Sequence, residues 1–458
     1  MTEYDNLDLP SFHDYTEGVV PPDEESHVLG SLKYSPNTRK AVYKNMCAKL
    51  GKQVLVFKER HVFSSVVTTI DIAHMPMQSV LPKLSFVGDV LSPLLGPKSI
   101  FFKWGDGGKR DRTRLNKAFG HADLERMLPE MLSASMRLRD TLLKAEEFAP
   151  KDHMNRVTCE IMSQAGFGYD LSKDPEAAYH VAHLVPAVFN PLAFVPIIGT
   201  QLALLYERKT LQSVQQIIDQ AIELHSKASA STEFPQSASL LMHLFDVAKE
   251  EGVGGNLWLR DNLQLFMVAS TDTTSFVLAW LCYILAWRRD IQAKVLCEID
   301  EHVTSDQPTQ KELQSLKFLD CTIKEALRVY PSIPLNAREL SEDDLVDGRR
   351  YANGTLMFFD YTLVHNRDDL FPRADEFSPE RWLDDNVRSE ALCTFSSGSR
   401  SCIGRFFAML QMKAILVTLL RQHSLECAKS GQSFPVCKNN FGMLAVKEEL
   451  VLKLVPRC

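Results

Sequence analysis

The chain has no surplus of positive charge: 51 Lys and Arg stand against 58 Asp and Glu, a net charge of -7 over 458 residues with a pI near 6.0. A nucleic-acid binder needs a basic face, so that class is set aside. The first thirty residues contain no Lys or Arg and carry Glu3, Asp5, Asp8, Asp14, Glu17, Asp23, Glu24 and Glu25, which excludes a secretory signal or a transit peptide. No segment reads as a linker long enough to divide the chain. We expect an acidic, loosely ordered arm over 1–36 and one large domain over 37–458. The ten cysteines are scattered, several inside apolar helical stretches, which indicates a reducing compartment and no disulfide framework.

Against these absences stands one dense stretch, Phe395-Ser396-Ser397-Gly398-Ser399-Arg400-Ser401-Cys402-Ile403-Gly404, running into an apolar helical pattern. A cysteine at the mouth of a helix suits a thiolate metal ligand, because nearby amides and the helix dipole favour its charged form. Gly398 permits a turn closed to residues with side chains, Arg400 offers a fork to a carboxylate, and Gly404 lets a flat ligand approach the backbone. Phe395 can shield the sulfur. Taken alone, Cys402 reads more readily as a buried core thiol than as a ligand; zinc is disfavoured because Cys393, the nearest cysteine, is outside zinc-ligand spacing. The pattern F-x-x-G-x-R-x-C-x-G resembles the haem-binding signature of the cytochromes P-450, haem-thiolate monooxygenases whose cysteine is the axial iron ligand.

A second stretch carries chemistry of its own. Residues 257–287 contain no Pro or Gly and are mostly apolar, which predicts one helix on the order of 45 Å long at about 1.5 Å per residue. A membrane span is the competing reading, but Ser270, Thr271, Asp272, Thr273, Thr274 and Ser275 cluster at its middle, where one Asp costs roughly 2.5 to 3.5 kcal/mol on insertion scales. A core helix with a polar notch fits better. Ala269-Ser270-Thr271-Asp272-Thr273-Thr274 is similar to the family's oxygen-activating motif, with Ser270 where Gly is usual. Dioxygen activation consumes protons, so the resemblance implies Thr273 as the alcohol that orders water and Asp272 as the proton relay. Without the resemblance, this notch reads as helix hydroxyls bonded to their own backbone.

Further landmarks fall in the family's order. Glu325 and Arg328 share one helix face at i and i+3, a spacing that in isolation describes a weak surface pair. With Tyr330-Pro331 behind them they resemble the E-x-x-R helix, and 377–382 resembles the segment whose Arg381 completes a Glu-Arg-Arg lock for folding and haem retention. The resemblance assigns propionate contacts to Arg112 and Arg338, although Gly108 stands where an aromatic residue or histidine is expected, leaving Trp104 or Lys109 to substitute. Lys109, Arg110, Arg114 and Lys117 complete a basic run that reads as a solvated face or as a dock for an acidic flavoprotein.

The implied architecture is mainly α with a small β region, the cytochrome P-450 fold, with haem b between the long central helix and the cysteine-loop helix. The implied reaction inserts one oxygen atom into a small lipophilic substrate, with NADPH electrons arriving through a separate reductase, since no flavin or iron-sulfur domain is fused. Two other classes remain: an isomerase or dehydratase of the family needing no external electrons, against which Asp272-Thr273 speaks, and a non-catalytic haem sensor. Eukaryotic members usually carry an N-terminal anchor and none opens this sequence, which is either an anchorless form or one that begins downstream of its anchor; the expected location is the endoplasmic reticulum surface or the cytoplasm. Residues 184–206, apolar but broken by Pro186, Pro191, Pro196 and Gly199, read as a lid touching a membrane peripherally, or as buried core. Helices are also expected over 37–49, 124–144, 154–166 and 202–227, strands over 53–71, a roof loop over 75–104, a surface loop over 226–239, a hairpin over 349–363 turning at Asn353-Gly354, paired strands over 444–454, and a substrate-facing turn at Phe441-Gly442-Met443.

Overall fold

The computed structural model describes residues 9–20, 34–61, 64–70, 79–80, 92, 95–174, 208–228, 239–250, 256–340, 344–346, 348–353, 355–383, 387, 389–440 and 443–457. The lid over 184–206, most of the roof loop over 75–104, the centre of the surface loop over 226–239, Gly354 and the turn at 441–442 lie outside the described residues. The chain forms two compact units, one of Met1–Ser85, Lys324–Cys402 and Pro435–Glu448, the other of Phe86–Ile323, Ile403–Phe434 and Glu449–Cys458. The fold is mainly helical with small sheets, the class expected from the sequence.

The first unit is built on a five-stranded mixed sheet in the order Val56–His61, Ser64–Thr69, Leu356–Asp360, Leu335–Leu340, Ser79–Val80. Its opening helix, Pro36–Leu50, has clear local causes. Ser35 caps the amide of Thr38, Pro36 fills a first-turn position where no amide is needed, and Gly51 ends the helix at φ 65°. Arg39 on this helix is buried and donates to Asp360 and Glu59, and Thr68 donates to Glu59 at 2.8 Å. Helix and strands are thereby tied by a buried ion cluster, which tolerates loss of one partner poorly. Part of the N-terminal arm is docked here, contrary to a loosely ordered segment. Phe12 is fully buried, stacks on Phe57 at 5.5 Å and lies under the Arg39 guanidinium, because burying its ring outweighs the acidity of its neighbours.

Two strand expectations need correction. Arg349–Tyr351 pairs with Asp344–Val346 around Gly348 at φ 70°, whereas Leu356–Asp360 joins Leu335–Leu340 and Ser64–Thr69. The runs flanking Asn353-Gly354 thus belong to different sheets, since turn chemistry favours a bend without choosing a strand's partner. Likewise Met443–Val446 pairs with Cys437–Asn440, and Leu452–Pro456 with His423–Cys427, not with each other.

The second unit is helical around Asn256–Trp287, unbroken for 32 residues. It packs on Pro150–Ile161, on Arg405–Leu420 and on the strand His423–Cys427. Trp280, Tyr283 and Leu285 are fully buried, so an apolarity sufficient to span a membrane is spent on a protein interior. Asp261 and Asn262 accept the amides of Lys98 and Ile100 at 2.7 and 2.9 Å, pinning the end of the preceding loop to this helix. Gly96 lies so close that a Cβ there would collide with Asp261, and its φ of 74° disfavours a side chain as well. His121–Lys144 begins earlier than its periodicity suggests and carries Pro129 in its interior. The helix Pro150–Ile161 passes into a π-turn at Met162–Gly166.

Candidate functional site

The cysteine loop begins with a 3-10 turn, Cys393–Phe395, and a second, Gly398–Arg400. Gly398 sits at φ 68°, and Ser396 adopts φ 56° with ψ -172°, a backbone region costing about 1–3 kcal/mol for a residue with a side chain. The loop is held in this form from both ends. The Ser396 amide donates to the Cys393 carbonyl at 2.7 Å, and the Cys402 amide to the Phe395 carbonyl at 2.8 Å. Cys402 is exposed, Phe395 and Arg400 are half-buried, and none of the described cysteines forms a disulfide.

Asn336 and Arg338 alternate on one strand, which puts them on one face. Arg338 Nη1 donates to Asn336 Oδ1, and Asn336 Nδ2 reaches the Tyr361 hydroxyl at 2.7 Å and Ser396 Oγ at 3.4 Å. The strand residue assigned to a propionate is thus linked to the strained end of the cysteine loop. Asn336 and Tyr361 were not singled out in the sequence. The period of two around Arg338 was the available signal for Asn336, and Tyr361 offered none.

Glu325 is fully buried and receives five donors. Arg328 reaches it through Nε at 2.9 Å and Nη2 at 2.8 Å, Arg381 through Nε at 2.9 Å, Trp382 through Nε1 at 2.9 Å, and the Ser378 amide at 2.9 Å. The arginines also grip backbone carbonyls: Arg328 those of His365, Ala374 and Glu376, Arg381 those of Pro372, Arg373 and Glu376. In isolation the i, i+3 spacing describes a weak surface pair. Burial and the third partner make it a different object, whose loss leaves guanidiniums without a counter-charge.

In the second unit the long helix is buried from Asp261 to Val268 and opens at Ala269, which is exposed, with Ser270, Asp272 and Thr273 half-buried beside it. The notch hydroxyls turn inward. Thr273 donates to the Ala269 carbonyl at 2.7 Å, Thr271 and Ser270 to that of Met267 at 2.8 and 3.2 Å, and Thr158 to that of Thr271 at 3.1 Å. Each still offers lone pairs. Burial raises the Asp272 carboxyl from 3.8 to about 6, partly opposed by Lys151, which brings it into the range where a carboxyl both gives and takes protons near neutrality. The helix assignment continues without a break through Ser270.

The same unit carries the helix Arg405–Leu420, capped by Gly404 at φ -87°. That angle is open to any residue, and a Cβ at Gly404 would meet nothing within 4 Å, so neither backbone nor protein packing asks for glycine there. Phe406 is 65% exposed at the head of a helix that is buried farther along. Gly404 has open space, Phe406 is an exposed aromatic ring and Ala269 an exposed small residue, on two helices that pack together; a flat hydrophobic group needs residues of these kinds. Arg112 lies half-buried on Gly105–Leu115, with Lys109 and Arg110 exposed, Gly108 buried, and Trp104 at the helix N-cap. Lys103 Nζ pairs with the buried Asp111 at 2.7 Å.

With these features in place, comparison with known proteins decides the family. A family model described as "Cytochrome P450" matches residues 56–454. The chain belongs to the cytochrome P-450 family. It is similar to cytochrome P-450 4c3 of Drosophila melanogaster, 31% identical over 220 residues that cover 47% of this chain and 41% of that protein. Similarity to cytochrome P-450 4V2 of Mus musculus reaches 40% over 173 residues, 37% of this chain and 33% of that one. A longer match, 26% identical over 386 residues, covers 79% of the chain and 76% of cytochrome P-450 3A16 of Mus musculus. Against the first two, the matched part spans less than half of either relative. Membership of the family implies haem, and the chemistry present within each unit, a thiol with arginines in one and open apolar positions in the other, is of the kinds such a group takes.

Proposed function

We propose that this cytochrome P-450 is a haem-thiolate monooxygenase, inserting one atom of dioxygen into a small lipophilic substrate with electrons from a separate NADPH-dependent flavoprotein. Haem, when bound, supplies the activation of dioxygen; the chain supplies the ligand, the cradle and the protons. Cys402 would supply the thiolate ligand, Phe395 would shield its sulfur, and Gly404 and Ala269 would leave room for the group. Arg112, Arg338 and Arg400 would take the carboxylates of the haem, Arg338 being steadied by its bond to Asn336. Glu325, Arg328 and Arg381 hold the fold around the cysteine loop and retain the cofactor.

Proton delivery is the part that separates this reading from an isomerase or a sensor, and the observation that carries it is the Asp272 carboxyl, raised to about 6 beside Thr273 on the open stretch of an otherwise buried helix. Thr273 Oγ1 gives its proton to the Ala269 carbonyl and keeps lone pairs to order a water. Asp272 draws protons from solvent and passes them on. The exposed Lys109 and Arg110 give an acidic reductase a face to steer toward.

The test is coupling. With reductase, NADPH and a substrate found by its spectral shift, Thr273→Ala is expected to divert consumed dioxygen from product to peroxide by tenfold or more, given typical contributions of about 10²-fold or greater from proton transfer. Unchanged coupling in the variant contradicts the assignment.

A further inference from the structure

His365 ends the short helix Tyr361–His365 and is fully buried, outside every motif above. Its Nε2 lies 3.0 Å from the amide nitrogen of Cys393 and accepts that proton. A neutral imidazole that accepts at Nε2 carries its own proton at Nδ1, and Nδ1 has no hydrogen-bond partner. A buried donor left unpaired is costly, so a histidine kept merely to fill space is a poor choice here. The acceptor nitrogen is what the site uses. Burial and the nearby Arg328 hold the ring neutral, with its pKa pushed down to about 3, so the acceptor survives throughout the physiological range. Tyr361 stacks on the ring at 6.4 Å and Phe371 meets it edge-on at 6.0 Å, which fixes its orientation.

The ring stands in a continuous chain of contacts. Arg328, paired with Glu325, donates to the His365 carbonyl at 2.7 Å. His365 Nε2 takes the Cys393 amide. Cys393 in turn receives the Ser396 amide, and Phe395, at the end of the same turn, receives the Cys402 amide. Thr394 is tied separately to the Leu327 carbonyl at 2.8 Å. The start of the cysteine loop is therefore fastened at adjacent residues, once directly to the helix of the lock and once through an imidazole.

We propose that His365 is a positioning residue for Cys402: by accepting the Cys393 amide it sets the first turn of the cysteine loop, and through the Phe395 carbonyl the placement of the thiolate. The proposal rests on Cys402 being the haem ligand, and its test separates the two. Full-length, haem-loaded wild type, His365→Phe and His365→Gln are reduced with dithionite under carbon monoxide, and amide exchange is followed across residues 393–402. His365→Phe keeps an aromatic ring without an acceptor; His365→Gln restores an acceptor.

Expected for His365→Phe are a larger share of the band characteristic of a neutral trans ligand and exchange faster by about tenfold at Cys393 and Cys402, the effect of losing one buried hydrogen bond. His365→Gln is expected to recover both. If His365→Phe does not fold, the comparison passes to His365→Gln and His365→Met, a pair differing in acceptor strength at similar length, and the same ordering is required. Variants that fold and match wild type in band ratio and exchange overturn the proposal, as does a folded His365→Gln that fails as badly as the variant without an acceptor. A wild type with no thiolate band overturns the ligand assignment itself and leaves the exchange result to judge the loop contact alone.

Discussion

Replacing Glu325 with Gln removes one charge from a site with no solvent to compensate. In wild type the carboxylate neutralises Arg328 and faces Arg381, with both oxygens between 2.8 and 2.9 Å from their donors. Glutamine keeps the shape and one acceptor oxygen, but its amide nitrogen would point donor against donor, toward Arg328 and the Trp382 indole at one position or toward Arg328, Arg381 and the Ser378 amide at the other. Charge-assisted hydrogen bonds are worth about 1.5–3 kcal/mol each, and breaking a buried pair by removing one partner typically costs about 3–5 kcal/mol. We expect a loss of about 3–5 kcal/mol, since the arginines keep their backbone carbonyls and recover only part of the interaction. The pair Asp123–Arg126 at 3.0 Å, whose arginine is exposed and whose aspartate is half-buried with His243 as a second partner at 3.5 Å, is the control, with an expected loss of about 1 kcal/mol for Asp123→Asn. Urea unfolding followed by tryptophan fluorescence and far-ultraviolet circular dichroism, with haem content measured in parallel, reads both. A loss for Glu325→Gln no larger than for Asp123→Asn would falsify the view that the lock is a buried, uncompensated charge system.

Three other outcomes follow from the geometry. Asp272→Asn is expected to stabilise the protein while impairing coupled turnover. A carboxyl raised from 3.8 to about 6 binds more protons folded than unfolded within that window, so stability falls as pH rises through it and stays lowered above; the upper bound is about 3 kcal/mol, and partial solvent access brings the expectation to about 1–2 kcal/mol. Stability curves of the two proteins that coincide at pH 8 contradict this. Among the described cysteines, Cys402 and Cys297 are the exposed ones, so iodoacetamide mapped by mass spectrometry is expected to modify both in cofactor-free protein and Cys297 alone once haem is loaded; buried Cys159 and Cys282, whose thiols burial pushes up, stay unmodified in both. Gly96→Ala is expected to cost about 2 kcal/mol or more, because a Cβ collides with Asp261 in a backbone region that disfavours side chains, and a loss under 0.5 kcal/mol, the range of ordinary surface changes at roughly ±0.5, counts against the close approach.

What the sequence made legible was local. A mostly apolar run over 257–287 without Pro or Gly told of the long helix, helical spacing over 37–49 told of the opening one, and the pattern from Phe395 to Gly404 pointed to the cysteine loop, whose backbone needs Gly398 where it stands. Choices of partner were not legible. Arg39 and Asp360 meet across 321 positions, and nothing near either announces the other. Asn353-Gly354 promised a hairpin because it satisfies a turn's local needs, yet its flanking strands found different sheets. His365 carried no signal either. An imidazole chosen for one acceptor nitrogen is visible only once the Cys393 amide, 28 residues away, is in view.

The central claim, that Cys402 is a haem thiolate ligand, is most directly tested by the absorption spectrum of purified protein reduced with dithionite under carbon monoxide. The account predicts the red-shifted Soret band that a thiolate trans ligand produces, lost in Cys402→Ser. A histidine-type band in well-folded protein, or no haem at all, contradicts it and removes the monooxygenase reading with it.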